Sequence, residues 1–474
     1  MEENAADLIA AEDVLLFVNA AITSTRQREF HSSDGEQGIS LRFLHEYMLV
    51  NYRQLYAAAL ALDVNDHNAA LIVRNLLLTS TDVGVEERRS EGRLIARRLQ
   101  TLPPQRVYRL FRDLRRAKAN NRRIRAIMRD WLAARPDPAF DAVKYRSGVK
   151  NTVRHAHLRL DEEIRAFLFQ PLRQKGYRTP ILEAWRRAHF EKRSIYELPY
   201  TVAEHFAAKH GVKRKAFLEQ IAPRLTRLER LRLQEAGKAA EAAAVEADLS
   251  VMPLTRLASY VLSLDLDERA RRHDELTRAL RTAARRSAGK SAGGWGAVTA
   301  VLDDSFSSYG SVQKRRRPLA VALACHYLLQ ALATRYTGLW LSGRKDALMV
   351  RPYGATPLGE RVIDALETEP ERLVIVSDGW DNSPPGLAGE VLRVWRTRLD
   401  PGRGCAVVHL NPVYDAGGLD VRRLAPTVPT AGIRQAENLP ALVELAGFAE
   451  GRTGLPELRA HLDRRIADFL REER

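Results

Sequence analysis

Residues 298–308 constrain the fold of this chain more than any other stretch. They read Val-Thr-Ala-Val-Leu-Asp-Asp-Ser-Phe-Ser-Ser, an apolar β-branched run that ends abruptly in two aspartates and three serines. The run is short for a helix, and its composition predicts a buried strand with a polar tip at its carboxyl end. In open parallel sheets, ligands bind at that end of the strands. Asp303, Ser305 and Ser307 form Asp-x-Ser-x-Ser there, a set of hard oxygen donors suited to Mg²⁺ or another divalent cation.

Beyond this strand the pattern alternates strand and helix, which predicts a doubly wound α/β sheet. A helix is expected over 318–333 with proline in its first turn, then strands over 337–341 and 347–350. A loop over 353–360 leads to a helix ending near 366, followed by a strand over 372–376 that runs into Ser377-Asp-Gly-Trp-Asp-Asn. A helix over 387–399, a strand over 405–410 and closing helices over 439–449 and 455–469 complete the reading. Thr356 and Asp378 then fall at or just beyond strand ends, so they can converge with Asp303, Ser305 and Ser307 on one ion. Each has an ordinary reading alone: Thr356 before Pro357 is a helix cap, and Asp378-Gly379 is a turn. Their joint order on an α/β background is less ordinary.

Upstream the grammar is helical. Residues 1–40 read as a mixed N-terminal segment with a polar break from His31 to Gln37, and residues 41–285 as amphipathic helices. No strand pattern interrupts them, which suggests a bundle or a HEAT-like array of helix pairs. Ser, Ala, Gly and Lys over 286–296 read as a linker to the α/β domain at 297–474.

Charge separates the same regions. The chain carries 75 Lys+Arg against 59 Asp+Glu, yet residues 101–290 alone hold 42 basic against 22 acidic. A concentrated positive field attracts polyanions, nucleic acid above all. One basic element, over 106–131, sets Val107, Leu110, Phe111 and Leu114, then Ile124, Ile127, Met128 and Trp131, as core stripes. Arg115, Arg116, Arg122 and Arg123 lie off those stripes. A second cluster holds Lys144, Arg146, Lys150, Arg154, His155, His157 and Arg159, and Arg186 and Arg187 follow. Lys and Arg neutralise phosphates, and His stacks on unpaired bases, so these thirteen residues are the candidate RNA contacts. His155 and His157 have no further ligand at zinc-like spacing.

Composition excludes several classes. With 28% charged and 45% hydrophobic residues the chain is globular rather than disordered, and no apolar run is long enough for a membrane helix. The start, Met-Glu-Glu-Asn, is acidic where a targeting peptide is basic, and Cys325 and Cys405 sit in apolar runs without a disulfide pattern. A cytoplasmic protein without a membrane partner is expected. No P-loop, nucleophile elbow or second metal cluster is present in the sequence, so an enzyme is not expected.

Two resemblances add to this. Residues from 296 to about 470 resemble a von Willebrand factor A domain, whose metal-ion-dependent adhesion site is written Asp-x-Ser-x-Ser, then Thr, then Asp. Asp303, Ser305, Ser307, Thr356 and Asp378 match all five positions, and Ala355-Thr-Pro-Leu-Gly-Glu and Val374-Ile-Val-Ser-Asp-Gly are also similar to the family. The resemblance implies Mg²⁺ held directly by the hydroxyls and partly through water by the aspartates. The helical part, from about 40 to 280, resembles the TROVE module of the Ro ribonucleoprotein family at Asp141-Ala-Val-Lys-Tyr-Arg, Arg154-His-Ala-His-Leu and Val251-Met-Pro-Leu-Thr-Arg-Leu. It departs from that family where Gly148 is followed by Val149 and Lys150.

What this second resemblance implies is a ring of HEAT-like repeats closed by the A domain. It also implies noncoding RNA ends in the central hole, and a role in RNA quality control. The alternative expectation is an adaptor that grips a protein partner through the A-domain metal, with the helices as scaffold.

Overall fold

The computed structural model describes residues 2–239, 247–448 and 455–471. It is mostly helical and carries one five-stranded sheet in its C-terminal part. Residues 1–69 and 249–474 form one compact unit, and residues 70–248 form another. Among the described residues no helix is long and apolar enough to cross a membrane.

In the first unit the apolar run forms β1, Ala297–Leu302, with every residue buried. Burial on both faces is what a central parallel strand requires, and it explains the absence of apolar/polar alternation. β2 (Arg335–Trp340), β3 (Arg372–Val376), β4 (Ala406–Asn411), β5 and β6 (Tyr414–Asp415 and Asp420–Val421, an antiparallel pair) and β7 (Thr430–Gly432) follow. The sheet order is β2-β1-β3-β4-β7, with every neighbouring pair parallel. The order reverses between β1 and β3, so their carboxyl ends flank a topological switch point. Leu302 is in register with Val376, which places Asp303 beside Ser377.

Helices cover the sheet as its apolar strands demand. Leu358 and Val362 from the Leu358–Leu366 helix, and Ala388 and Leu392 from the Leu387–Arg398 helix, form one core with Val301, Leu373, Ile375 and Val407. The Arg317–Leu332 helix is buried along nearly all its length and contacts β1, β2 and the Leu254–Ser263 and His273–Ala288 helices.

Several expectations are corrected. Residues 347–350 are not a strand: Ala347–Met349 is a 3-10 turn in which Asp346 accepts from the Leu348 amide. The mixed segment over 1–40 is largely helical, at Glu2–Thr23 and in the first turns of Asp34–Asn51, and the first of these helices contacts β6 and β7. Residues 286–296 continue the His273–Ala288 helix and turn back, with the Gly293 and Trp295 amides donating to Ala331 and Leu332 carbonyls at 3.1 and 3.0 Å. The stretch over 224–245, whose mixed charge and alanine-rich end read as one exposed helix, is helical at Arg227–Ala239, and residues 240–245 lie outside the described residues.

Every regular element among the second unit's described residues is a helix. Pro104–Arg116, Arg122–Ala133 and Arg146–Ala156 pack together through the apolar stripes read from the sequence. Gly148 marks the crossing with Pro104–Arg116, because a Cβ there would lie 2.7 Å from Tyr108 Cβ and Cγ. This unit, residues 70–248, holds 39 Lys+Arg against 21 Asp+Glu, a net of +18. The remaining residues hold 36 against 38, a net of −2. The positive charge belongs almost wholly to one unit.

Candidate functional site

All five residues read from the sequence as candidate metal ligands sit at the switch point of the first unit. The Asp303 amide donates to the Val376 carbonyl at 3.0 Å, continuing the β1–β3 ladder one residue past the strand. Its carboxylate is then held from two sides: Oδ1 accepts from the Ser305 amide at 2.9 Å and Oδ2 from the Ser377 hydroxyl at 2.7 Å. The Ser305 and Ser307 hydroxyls lie 3.2 Å apart. The Phe306 amide donates to the Gly354 carbonyl, which ties this loop to the one bearing Thr356.

Thr356 is held by Asn382, whose Oδ1 accepts from the Thr356 amide at 2.9 Å. Asp378 Oδ1 accepts from the Trp380 amide at 3.0 Å, and the Asn411 side chain donates to the Asp378 carbonyl at 2.9 Å. Gly379 follows at φ +77°, where a Cβ would meet the Arg422 carbonyl at 2.8 Å, so the turn after Asp378 requires glycine. Asp304, by contrast, turns away and accepts from the Ser342 amide and hydroxyl at 2.9 and 2.5 Å. Of the paired aspartates, one faces the site and the other closes the turn after β2.

Electrostatically the site is short of positive charge. Burial, then the neighbouring Asp378 carboxylate, pushes the Asp303 carboxyl up to about 7. Among the described residues neither aspartate pairs with Lys or Arg; His31 Nε2 lies 3.7 Å from Asp378 Oδ2. Two hard carboxylates and three hydroxyls without a protein cation are a donor set that fits a divalent ion. No group of three or more His, Cys, Asp or Glu side chains able to hold a metal occurs among the described residues, so a zinc-type cluster does not compete with it.

The second unit sorts the thirteen expected RNA contacts. Five are engaged by carboxylates: Arg116 with Asp113, Arg123 with Glu91, Lys144 with Glu229, Arg186 with Glu183 and Arg187 with Glu191. Two serve the fold. Arg146 donates to the Phe167 and Leu168 carbonyls at 3.4 and 3.1 Å and lies over the Phe167 and Trp185 rings, and His155 Nε2 is 2.8 Å from the Ala119 carbonyl.

The remaining six have no carboxylate partner among the described residues. Arg115 donates to Asn151 at 2.5 Å, on the same helix as Lys150 and Arg154. Lys150 and Arg154 both lie over the Phe169 ring, at 5.4 and 5.0 Å. Desolvation, then the Arg154 and Arg146 cations, lowers the Lys150 ammonium below its ordinary value. His157 ends that helix in the left-handed region at φ 52°, ψ 46°. With Arg122 and Arg159 it lines a cleft of about 960 Å³ whose floor includes Leu132, Leu158 and Ile164.

Sequence reasoning missed several residues around both sites. Arg125, which lines the cleft, was visible as part of the basic run. Ser377 and Asn382 stood in the polar run after the 372–376 strand, but their contacts with Asp303 and Thr356 could not be read from it; Phe169 and His31 likewise act through contacts distant in sequence. No family model matches this chain, and no curated protein matches it.

Proposed function

We propose that this chain is a Ro-like RNA-binding protein. Its basic helical unit is a HEAT-like module that engages noncoding RNA, and its sheet unit is a von Willebrand factor A domain holding Mg²⁺ or another divalent cation. One observation carries the RNA reading: Lys150 and Arg154 share the Phe169 ring with no acid between them. Like charges placed together over an aromatic face are unfavourable alone, and a phosphate backbone with an unpaired base relieves that cost. The net of +18 in this unit supports the same reading.

Fluorescence anisotropy of a labelled single-stranded RNA across a salt series tests it. Lys150→Ala/Arg154→Ala is expected to weaken binding about tenfold and to reduce the salt slope by about 2. Arg186→Ala, already paired with Glu183, serves as the control and changes little. Equal affinity and slope in the double variant would overturn the reading.

The second reading, a metal-dependent adaptor for an acidic protein partner, is favoured by the donor set at the switch point. Under it, EDTA and Asp303→Ala abolish capture of the partner, while Lys150→Ala/Arg154→Ala leaves capture intact.

A further inference from the structure

The five donors of the candidate metal site are strongly shielded: Asp303, Ser305, Ser307, Thr356 and Asp378 are each at most 8% exposed. A docking site for an outside ligand needs an open face, so the cover matters. Two side chains of the connection between the first two helices lie at that face. The His31 ring stacks on Trp380 at 4.3 Å between centroids and brings Nε2 to 3.7 Å from Asp378 Oδ2. Phe30 meets Phe306, the residue inside Asp-x-Ser-x-Ser, edge to face at 5.8 Å.

The ends of this connection are fixed far more firmly than its tip. Glu29 forms a buried ion pair with Lys314, and its amide donates to the Ser32 carbonyl at 3.0 Å. Ser33 then caps the Asp34–Asn51 helix in a reciprocal box with Glu36. Between these anchors, Phe30 is 37% exposed and the His31 side chain 29%. Ring contacts and one long Nε2–Oδ2 approach of 3.7 Å lie at the tip, whereas an ion pair and a helix cap hold its flanks. Such an arrangement can open locally without loss of the surrounding fold.

We propose that Phe30 and His31 form a strap that closes the metal site in cis, so that a carboxylate from outside reaches it only when the strap lifts. The proposal rests on reading Asp303 and its partners as a metal site, and it adds a competitor built into the same chain. His31 takes the place beside Asp378 that an incoming acidic ligand would need, and Phe30 with Phe306 shields the flank. Trp380, carrying Arg422 at 3.9 Å from its ring as well as His31, is the platform on which the strap rests.

The test compares the full chain with Phe30→Ser/His31→Ser, and with Glu29→Gln, which loosens an anchor without touching the site. Amide hydrogen exchange over 303–309 and 377–382 in metal-free protein is expected to quicken about tenfold in the double variant and less in Glu29→Gln. With Mn²⁺ as the probe, water-proton relaxivity per bound ion is expected to rise in the double variant, and added acetate to lower it there more than in the parent chain. Unchanged exchange together with unchanged relaxivity overturns the strap and leaves the metal reading standing. Faster exchange in chains that bind no Mn²⁺ upholds the strap as a cover and overturns the metal reading instead.

Discussion

Asn19 Nδ2 donates to Asp420 Oδ1 at 3.1 Å, joining the first helix to the β5–β6 pair across 401 positions of sequence. The same side chain accepts from the Gly432 amide on β7 at 2.9 Å, so one buried amide serves two strands at the edge of the sheet. Removing it leaves the buried Gly432 N–H unsatisfied and takes one donor from the buried Asp420 carboxylate, which keeps the Val421 amide and Arg423; an unmade hydrogen bond is costly in a low-dielectric interior. Asn19→Ala is therefore expected to lose about 1–3 kcal/mol in denaturant unfolding. The measurement is a urea titration followed by circular dichroism, and an unchanged midpoint would show that the contact contributes nothing.

This contact also marks where sequence patterns fail. The Glu2–Thr23 helix buries Ala11, Leu15, Ala20 and Ile22 as well as Val14, Phe17, Val18 and Ala21, residues that together do not fall on one narrow stripe. A helix buried nearly all round announces no partner face, so its place on the sheet edge could not be read. The placing of Asp303, Ser305, Ser307, Thr356 and Asp378 at strand ends was legible for the opposite reason: carboxylates and hydroxyls at the ends of apolar β-branched runs are a local pattern, and parallel topology carries such ends to one edge. The run at 347–350 was too short to separate strand from turn.

Among the cations, the pairing of Arg186 with Glu183 was present in the sequence as a three-residue spacing. The pairing of Lys144 with Glu229 was not, because only the fold brings those segments together.

Buried neutral histidines set the acid limit of stability. His45 and His409 are almost wholly buried, and burial pushes each down to about 4. His409 Nε2 lies 3.0 Å from the Ser377 carbonyl and His45 Nδ1 lies 2.7 Å from the Tyr56 hydroxyl, contacts that a neutral ring satisfies. The unfolded chain takes up these protons near pH 6.5 and the folded chain only near 4. Between those values the unfolded state binds more protons, so stability falls as pH drops through the window. His409→Gln, which keeps a donor for Ser377, is expected to reduce the slope of unfolding free energy against pH by about one proton between pH 6.5 and 4. Urea midpoints measured across that range check it, and an unchanged slope would mean that His409 titrates alike in both states.

The repulsion between Asp303 and Asp378 makes a prediction that needs no partner. In metal-free protein the two carboxylates stand together without a Lys or Arg among the described residues, and burial denies them water. Asp303→Asn removes one charge while keeping an oxygen to accept from the Ser305 amide and placing an NH2 that can donate to the Ser377 hydroxyl oxygen, so the metal-free variant is expected to be more stable than the parent by about 1–3 kcal/mol at pH 8. Addition of Mg²⁺ or Mn²⁺ is expected to reverse the order, because an ion that binds only the folded parent raises its stability by about 2.7 kcal/mol at a concentration a hundredfold above its dissociation constant. Thermal melts of both proteins with EDTA and with each metal separate the two effects. A parent chain whose melting temperature does not respond to either metal would remove the ion from this site, and a variant less stable than the parent in EDTA would show that the carboxylate's hydrogen bonds outweigh its repulsion.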